Sequence, residues 1–171
     1  MILIVEGPDL SGKSYAIEKI AKHFNSGFVL KNSFKPKTLE DTKEIFGQYW
    51  SFMPFIVDRE DIVILDRFFP SQAVYSIFRG EDHMKHGEVH ALDTFCKEAG
   101  FLYVYIDTSS KRLQDRYDKR GDEHIKKEQL DMLKSRYDEF YFLTEMKKIK
   151  INTLDKDWLD KLEAWMYEIL R

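Results

Sequence analysis

The chain alternates two kinds of apolar pattern. Short unbroken runs at residues 1–6, 61–66 and 100–107 have the length and character of strands buried on both faces. Between them lie stretches where apolar residues return every three or four positions, the period of a helix with one buried face. Ala16, Ile17, Ile20, Ala21 and Phe24 mark the first such helix. Residues 27–31 predict a second strand. Residues 38–57 predict a long helix with Leu39, Ile45, Phe46, Tyr49, Trp50, Phe52 and Met53 on a broad apolar face, kinked or ended by Pro54. A short helix over 71–78 follows the third strand, and Thr108 and Ser109 are the expected caps after the fourth. Residues 125–143 and the segment from 155 onward predict two more helices around a short edge strand at 148–151. Strands alternating with helices predict a three-layer α/β fold, five parallel strands with helices on both faces, in one domain spanning residues 1–171.

Composition narrows the class. A chain of 171 residues that is 43% hydrophobic and 33% charged buries a sizeable core. No apolar run approaches membrane-spanning length and no basic region precedes the first strand, so neither a transmembrane helix nor a signal peptide is expected. The single cysteine, Cys96, fits a reducing compartment and a core position, and a cytoplasmic location is the expectation. The formal charge of −3 argues against a general nucleic-acid binder, because such domains carry a strong basic excess.

The chemistry concentrates where the first strand meets the first helix. Gly7-Pro8-Asp9-Leu10-Ser11-Gly12-Lys13-Ser14 has the Gly-x-x-x-x-Gly-Lys-Ser spacing of a P-loop. Gly7 and Gly12 let the backbone turn its amide hydrogens toward a phosphate, and the helix that follows brings its positive end to the same point. Lys13 supplies a charge for the β- and γ-phosphates, and the Ser14 hydroxyl is placed to hold Mg²⁺. ATP and Mg²⁺ are therefore the expected cofactors of a P-loop NTPase fold.

Other candidates follow along the chain. Asp66 ends the third strand, where a carboxylate organises Mg²⁺ and its waters, and Arg67 comes next. Lys31 and Lys35 leave the second strand at the end where open parallel sheets bind ligands, although a solvated lysine is the plainer reading of either alone. In the 38–57 helix, Tyr49 or Trp50 is a candidate to stack on a base, with Gln48 beside them to bond its edge, while core packing is the first reading for Phe46 and Phe52. Residues 112–124, with Arg112, Arg116, Arg120 and Gly121, read as a mobile lid or as a solvated helical turn.

At Asp66-Arg67-Phe68-Phe69-Pro70-Ser71-Gln72-Ala73-Val74-Tyr75 the chain resembles the thymidylate kinases, whose signature is Asp-Arg-Tyr-x-x-Ser-x-x-x-Tyr. A P-loop with Asp9 at its third position and a lid containing Arg116 and Arg120 extend the likeness over the whole chain. The resemblance implies that Asp9 lies near the sugar 3′-hydroxyl and the metal, that Arg67 contacts the acceptor phosphate, that Tyr75 lies against the sugar 2′ position and that Gln72 approaches the base. It also implies a homodimer. Some members carry a P-loop arginine where this chain has Leu10, so the catalytic arginine is expected from the lid. Phe68 replaces the usual tyrosine, and the family's Leu-Phe-Ala-x-Asp-Arg helix, whose arginine reads thymine, is missing.

The expected activity is transfer of the γ-phosphoryl group of ATP to a deoxynucleoside monophosphate, dTMP first, with small nucleotides as partners. Two other readings stay open at this point. A deoxynucleoside or polynucleotide 5′-hydroxyl kinase would use Asp66 as its base, and a regulatory P-loop NTPase would act through a protein partner.

Overall fold

The computed structural model describes residues 1–32, 36, 38–84, 86–122 and 125–171. Five strands form one sheet: β1 (Ile2–Glu6), β2 (Phe28–Lys31), β3 (Val63–Asp66), β4 (Leu102–Ile106) and β5 (Lys147–Ile151). They pair in parallel in the order β2-β3-β1-β4-β5. The chain lays β2 and β3 on one side of β1, then crosses to build β4 and β5 on the other. That reversal opens a crevice at the carboxyl ends of the central strands. Register sharpens it, because Asp66 is aligned with Val5 on one side and Lys31 on the other.

Alternate residues of the central strands feed two cores, as a pleated strand requires. Ile2, Ile4, Leu65, Tyr103 and Tyr105 pack with α2 (Leu39–Val57), α3 (Phe69–Tyr75), α4 (Gly87–Glu98) and α6 (Leu130–Leu143). Leu3, Val5, Ile64, Val104 and Ile106 pack with α1 (Lys13–His23) and α7 (Trp158–Leu170). Cys96 is buried in the first core. No helix among the described residues is long and apolar enough to cross a membrane.

Several boundaries differ from the sequence reading. Pro54 neither ends nor interrupts α2, which continues to Val57 because Met53 and Ile56, on either side of the proline, are both held in the core. The third helix starts earlier than expected and passes at Ser76–Arg79 into a 3₁₀ turn closed by Gly80 at φ +82°. Most of the expected lid is a regular helix, α5 (Ser110–Arg120), started by Ser109 accepting from the Arg112 amide at 3.3 Å and pinned to the core by Leu113. The end of that segment, residues 123 and 124, lies outside the described residues.

Candidate functional site

A cleft of about 1090 Å³ lies over the carboxyl ends of β1, β2 and β3. Residues 7–14 form one wall. Gly7, at φ +156°, passes so close to β4 that a Cβ there would sit 2.7 Å from the Ile106 carbonyl oxygen. Gly12, at φ +100°, turns the chain into α1, and a Cβ would come within 3.3 Å of Thr153 Oγ1 and 3.4 Å of Arg116 Nη1. Leu10 also takes a left-handed conformation, at φ +66°. Among the described residues the start of α1 has no side-chain cap, so its amide hydrogens are left for a ligand, and the buried Ser11 hydroxyl in the loop has no hydrogen-bond partner. Lys13 forms an ion pair with Asp66, both largely buried. Burial and the Arg67 charge pull the Lys13 ammonium below the usual lysine range, while Asp66 opposes them.

Behind this wall the site is organised by Arg67. Its backbone is left-handed, at φ +68°, which is strained for a residue with a Cβ. Its guanidinium donates to Asp9 Oδ1 at 2.7 Å, to Ser71 Oγ at 2.9 Å and to Tyr137 Oη on α6 at 2.5 Å. Tyr75 Oη donates to the other Asp9 oxygen at 2.6 Å, and the guanidinium lies over the Tyr75 ring, 5.4 Å from its centroid. Beneath them Glu6 is fully buried. It accepts from the Phe68 amide at 2.7 Å, Ser71 Oγ at 2.6 Å, the Ser71 amide at 3.3 Å and Tyr137 Oη at 3.3 Å. Burial raises the Glu6 carboxyl above the usual glutamate range against the opposing pull of Arg67 and these donors.

The far wall comes from three other elements. Asn32, after β2, donates to Tyr49 Oη on α2, and Gln72 of α3 lines the cleft. Tyr49 is otherwise buried against Phe68 at 4.4 Å between ring centroids, so it backs the wall and is not a stacking surface. Arg79 Nη2 donates to the Gln72 carbonyl at 3.2 Å, and Phe78 lines the cleft beside it. Gln48 and Trp50 correct the sequence reading, for neither lines this cleft. Gln48 sits on the solvent face of α2 bonded to Glu44 at 3.3 Å, and Trp50 packs on Phe95 of α4 at 5.6 Å. Lys35 lies outside the described residues.

From α5, Arg116, Lys119 and Arg120 close the side of the cleft over the loop. Arg116 Nη1 donates to the Leu10 carbonyl at 2.5 Å. Burial and the neighbouring Arg112 and Arg120 charges pull its basicity down. Arg116 and Lys119 also line a second cleft of about 400 Å³ with Thr108, Arg112, Asn152 and Leu154. Ser14, at the open end of α1, and Asp66 both line the main cleft. Two hard oxygen donors suit Mg²⁺, which takes one or two protein oxygens and completes its shell with phosphates and water.

The structure thus brings Asp9, Lys13, Ser14, Asp66, Arg67, Gln72, Tyr75, Arg116 and Arg120 into one cleft. Three residues that hold its geometry escaped the sequence reading. Tyr137 was readable only as part of a helical stripe, Glu6 as a strand end and Arg79 as nothing in particular. A carboxylate ending a wholly apolar strand was the one available signal, for a buried charge needs partners.

No family model matches the chain, and no curated sequence matches it. Solved structures do match in fold. The YorR protein from Bacillus subtilis, in complex with phosphorylated GDP, aligns over 99% of this chain and 96% of its own, with a TM-score of 0.74 and 24% identity. Deoxyadenosine kinase from M. mycoides, with products dCMP and dCDP, aligns over 98% of this chain and 100% of its own, with a TM-score of 0.64 and 15% identity. Polyphosphate kinase 2 from Arthrobacter aurescens TC1 aligns over 98% of this chain and 66% of its own, with a TM-score of 0.63 and 16% identity. The chain shares the three-layer α/β fold of these proteins, a five-stranded parallel sheet between helices.

Proposed function

We propose that this chain transfers the γ-phosphoryl group of ATP to the phosphate of a deoxynucleoside monophosphate, with dTMP the first acceptor to test. The observation that carries the reading is the charge of the cleft. Lys13, Lys31, Arg67, Arg116, Lys119 and Arg120 line it against two carboxylates among the described residues, Asp9 and Asp66, in a chain whose formal charge is −3. Such a local excess suits two phosphate-bearing ligands better than one. A hydroxyl acceptor would need a carboxylate base to take its proton. Here Asp9 is held by Arg67 and Tyr75, and Asp66, paired with Lys13 before the donor binds, is the carboxylate assigned below to Mg²⁺.

Phosphoryl transfer passes through a loose transition state, so catalysis is mainly positioning and charge stabilisation. The loop amides and the start of α1 hold the donor phosphates. With Lys13 turned from Asp66 to the β- and γ-oxygens, Asp66 and the Ser14 hydroxyl would hold Mg²⁺. The metal, when bound, neutralises charge on those oxygens. Arg67, already braced by Asp9, Ser71 and Tyr137, holds the acceptor phosphate in line. Arg116, at the Leu10 carbonyl, stands where a loop arginine would otherwise reach, which supports its role as the transition-state cation. Tyr75 lies beside Asp9 against the sugar and leaves no room for a 2′-hydroxyl.

The test is ADP release with ATP and Mg²⁺ in the presence of dTMP, dUMP or thymidine. The expected outcome is strong stimulation by the monophosphates and little by thymidine. If thymidine outruns dTMP, the chain is a nucleoside kinase with Asp66, once released from Lys13, as its base. Slow turnover indifferent to every acceptor would leave a regulatory NTPase.

A further inference from the structure

We infer that the far wall of the cleft reads the acceptor base, and that Arg79 selects bases with a carbonyl oxygen at the edge remote from the sugar: guanine and thymine over adenine and cytosine. The inference rests on the acceptor reading above and adds the base class to it. It starts from an unsatisfied donor. A guanidinium carries only donors. Arg79, which lines the cleft, spends Nη2 on the Gln72 carbonyl, while its Nε is buried with no hydrogen-bond partner among the described residues. The carboxylate nearby, Glu81, faces His83 Nε2 at 2.8 Å. A buried donor left this way favours any ligand that brings an acceptor to it.

The path of α3 says which part of the ligand that is. The helix leads from Arg67, beside Asp9, past Ser71 and Tyr75, and the 3₁₀ turn that follows ends at Arg79 with its guanidinium folded back on Gln72. A monophosphate with its phosphate on Arg67 and its sugar against Tyr75 therefore brings its base to Phe78 and Arg79. Phe78, edge-on to Tyr75 at 6.2 Å, offers a ring beside the flat ligand. Guanine presents O6 at that edge and thymine presents O4. Adenine and cytosine carry amino hydrogens at the same positions, donor against donor, while N7 is common to both purines and does not separate them. Asn32 donates to Tyr49 Oη, which fixes that part of the wall without supplying a second cation.

Binding of dGMP, dAMP, dTMP and dCMP measured by calorimetry tests this, in size-matched pairs so that purine bulk drops out. The expected result is that dGMP binds about 10-fold or more tighter than dAMP, and dTMP likewise tighter than dCMP. In Arg79→Met, which keeps the aliphatic stem and loses the donors, both preferences should collapse while ATP affinity is unchanged. Arg79→Gln, with a donor and an acceptor, serves if the first variant misfolds, and should flatten both pairs. Equal binding within either wild-type pair, no binding of any of the four, or an unchanged ranking in the variants would overturn the inference. ADP release is scored separately: ranked binding without stimulated turnover keeps the base assignment and removes the kinase reading, and stimulated turnover without ranking does the reverse.

Discussion

The two halves of the cleft, which we propose hold donor and acceptor, are built by opposite means. The proposed donor half is local: eight consecutive residues, Gly7 to Ser14, make it largely from backbone, with two glycines at positive φ and an uncapped helix start. The proposed acceptor half is assembled from side chains that meet across the fold, Asp9 with Arg67 and Tyr75, Arg67 with Tyr137, and Tyr49 with Asn32. A backbone cradle recognises what every nucleoside triphosphate shares. A side-chain wall can be changed one residue at a time, so it is where specificity resides.

The sharpest way to break that contrast is at the donor half. Lys13→Ala should lower kcat by roughly 10³-fold or more, and because it leaves Asp66 without its buried partner the comparison is made on protein shown by circular dichroism to be folded. Near-normal turnover in a folded variant would end the assignment of residues 7–14 as the donor site. A smaller loss, roughly 10²-fold in kcat with little change in acceptor KM, is expected for Arg116→Ala, because its charge is needed mainly in the transition state. If neither Arg116→Ala nor Arg120→Ala lowers kcat, α5 does not supply the cation that Leu10 lacks.

The same contrast explains what was legible in the sequence. The strands, their parallel arrangement and the donor half follow from local patterns, namely apolar runs, helical periods and fixed Gly-Lys-Ser spacing. The Asp66-Arg67 pair and Tyr75 were legible because they too lie within ten residues of one another. Tyr137 was not, since position 137 satisfies the inward stripe of α6 with Leu133 and Phe140, and only the tertiary fold shows that its hydroxyl reaches Arg67. Gln48 and Trp50 misled for the converse reason. Aromatic density in α2 suggested a ligand face, but at 100° per residue the core takes Ile45, Phe46, Tyr49 and Met53 and leaves Gln48 and Trp50 outward. Arg79 needed the 3₁₀ turn, which no periodicity announces.

A third experiment probes the acceptor half directly. If the Tyr75 ring occupies the sugar's 2′ side, as proposed, UMP should be a poorer acceptor than dUMP by roughly 5- to 150-fold, the cost of burying a hydroxyl without a partner. Tyr75→Phe keeps the ring and should keep most of this preference, whereas Tyr75→Leu should lose it. Equal rates with UMP and dUMP in the unaltered protein would make Tyr75 a packing residue and no more.

The smallest effect reads the acceptor half through stability rather than rate. Glu6 braces Ser71 and Tyr137, and through them Arg67, from full burial, and that burial raises its folded carboxyl above the unfolded value. The sign follows from linkage. A group whose folded pKa is raised contributes its full share below the unfolded pKa, and that share is lost as pH climbs through the folded pKa. Glu6→Gln cannot ionise, so the stability difference between the native protein and this variant isolates the carboxyl. Measured by urea unfolding from pH 4 to pH 8, the native protein should lose ground to Glu6→Gln as pH rises, by at most about 1.4 kcal/mol per pH unit within the window, and hold a constant offset above it. A difference curve that climbs with pH would mean that Arg67 and the four donors outweigh desolvation. The acceptor half would then rest on a buried ion pair, as the donor half does at Lys13 and Asp66, and the contrast between the two would narrow to backbone against side chain.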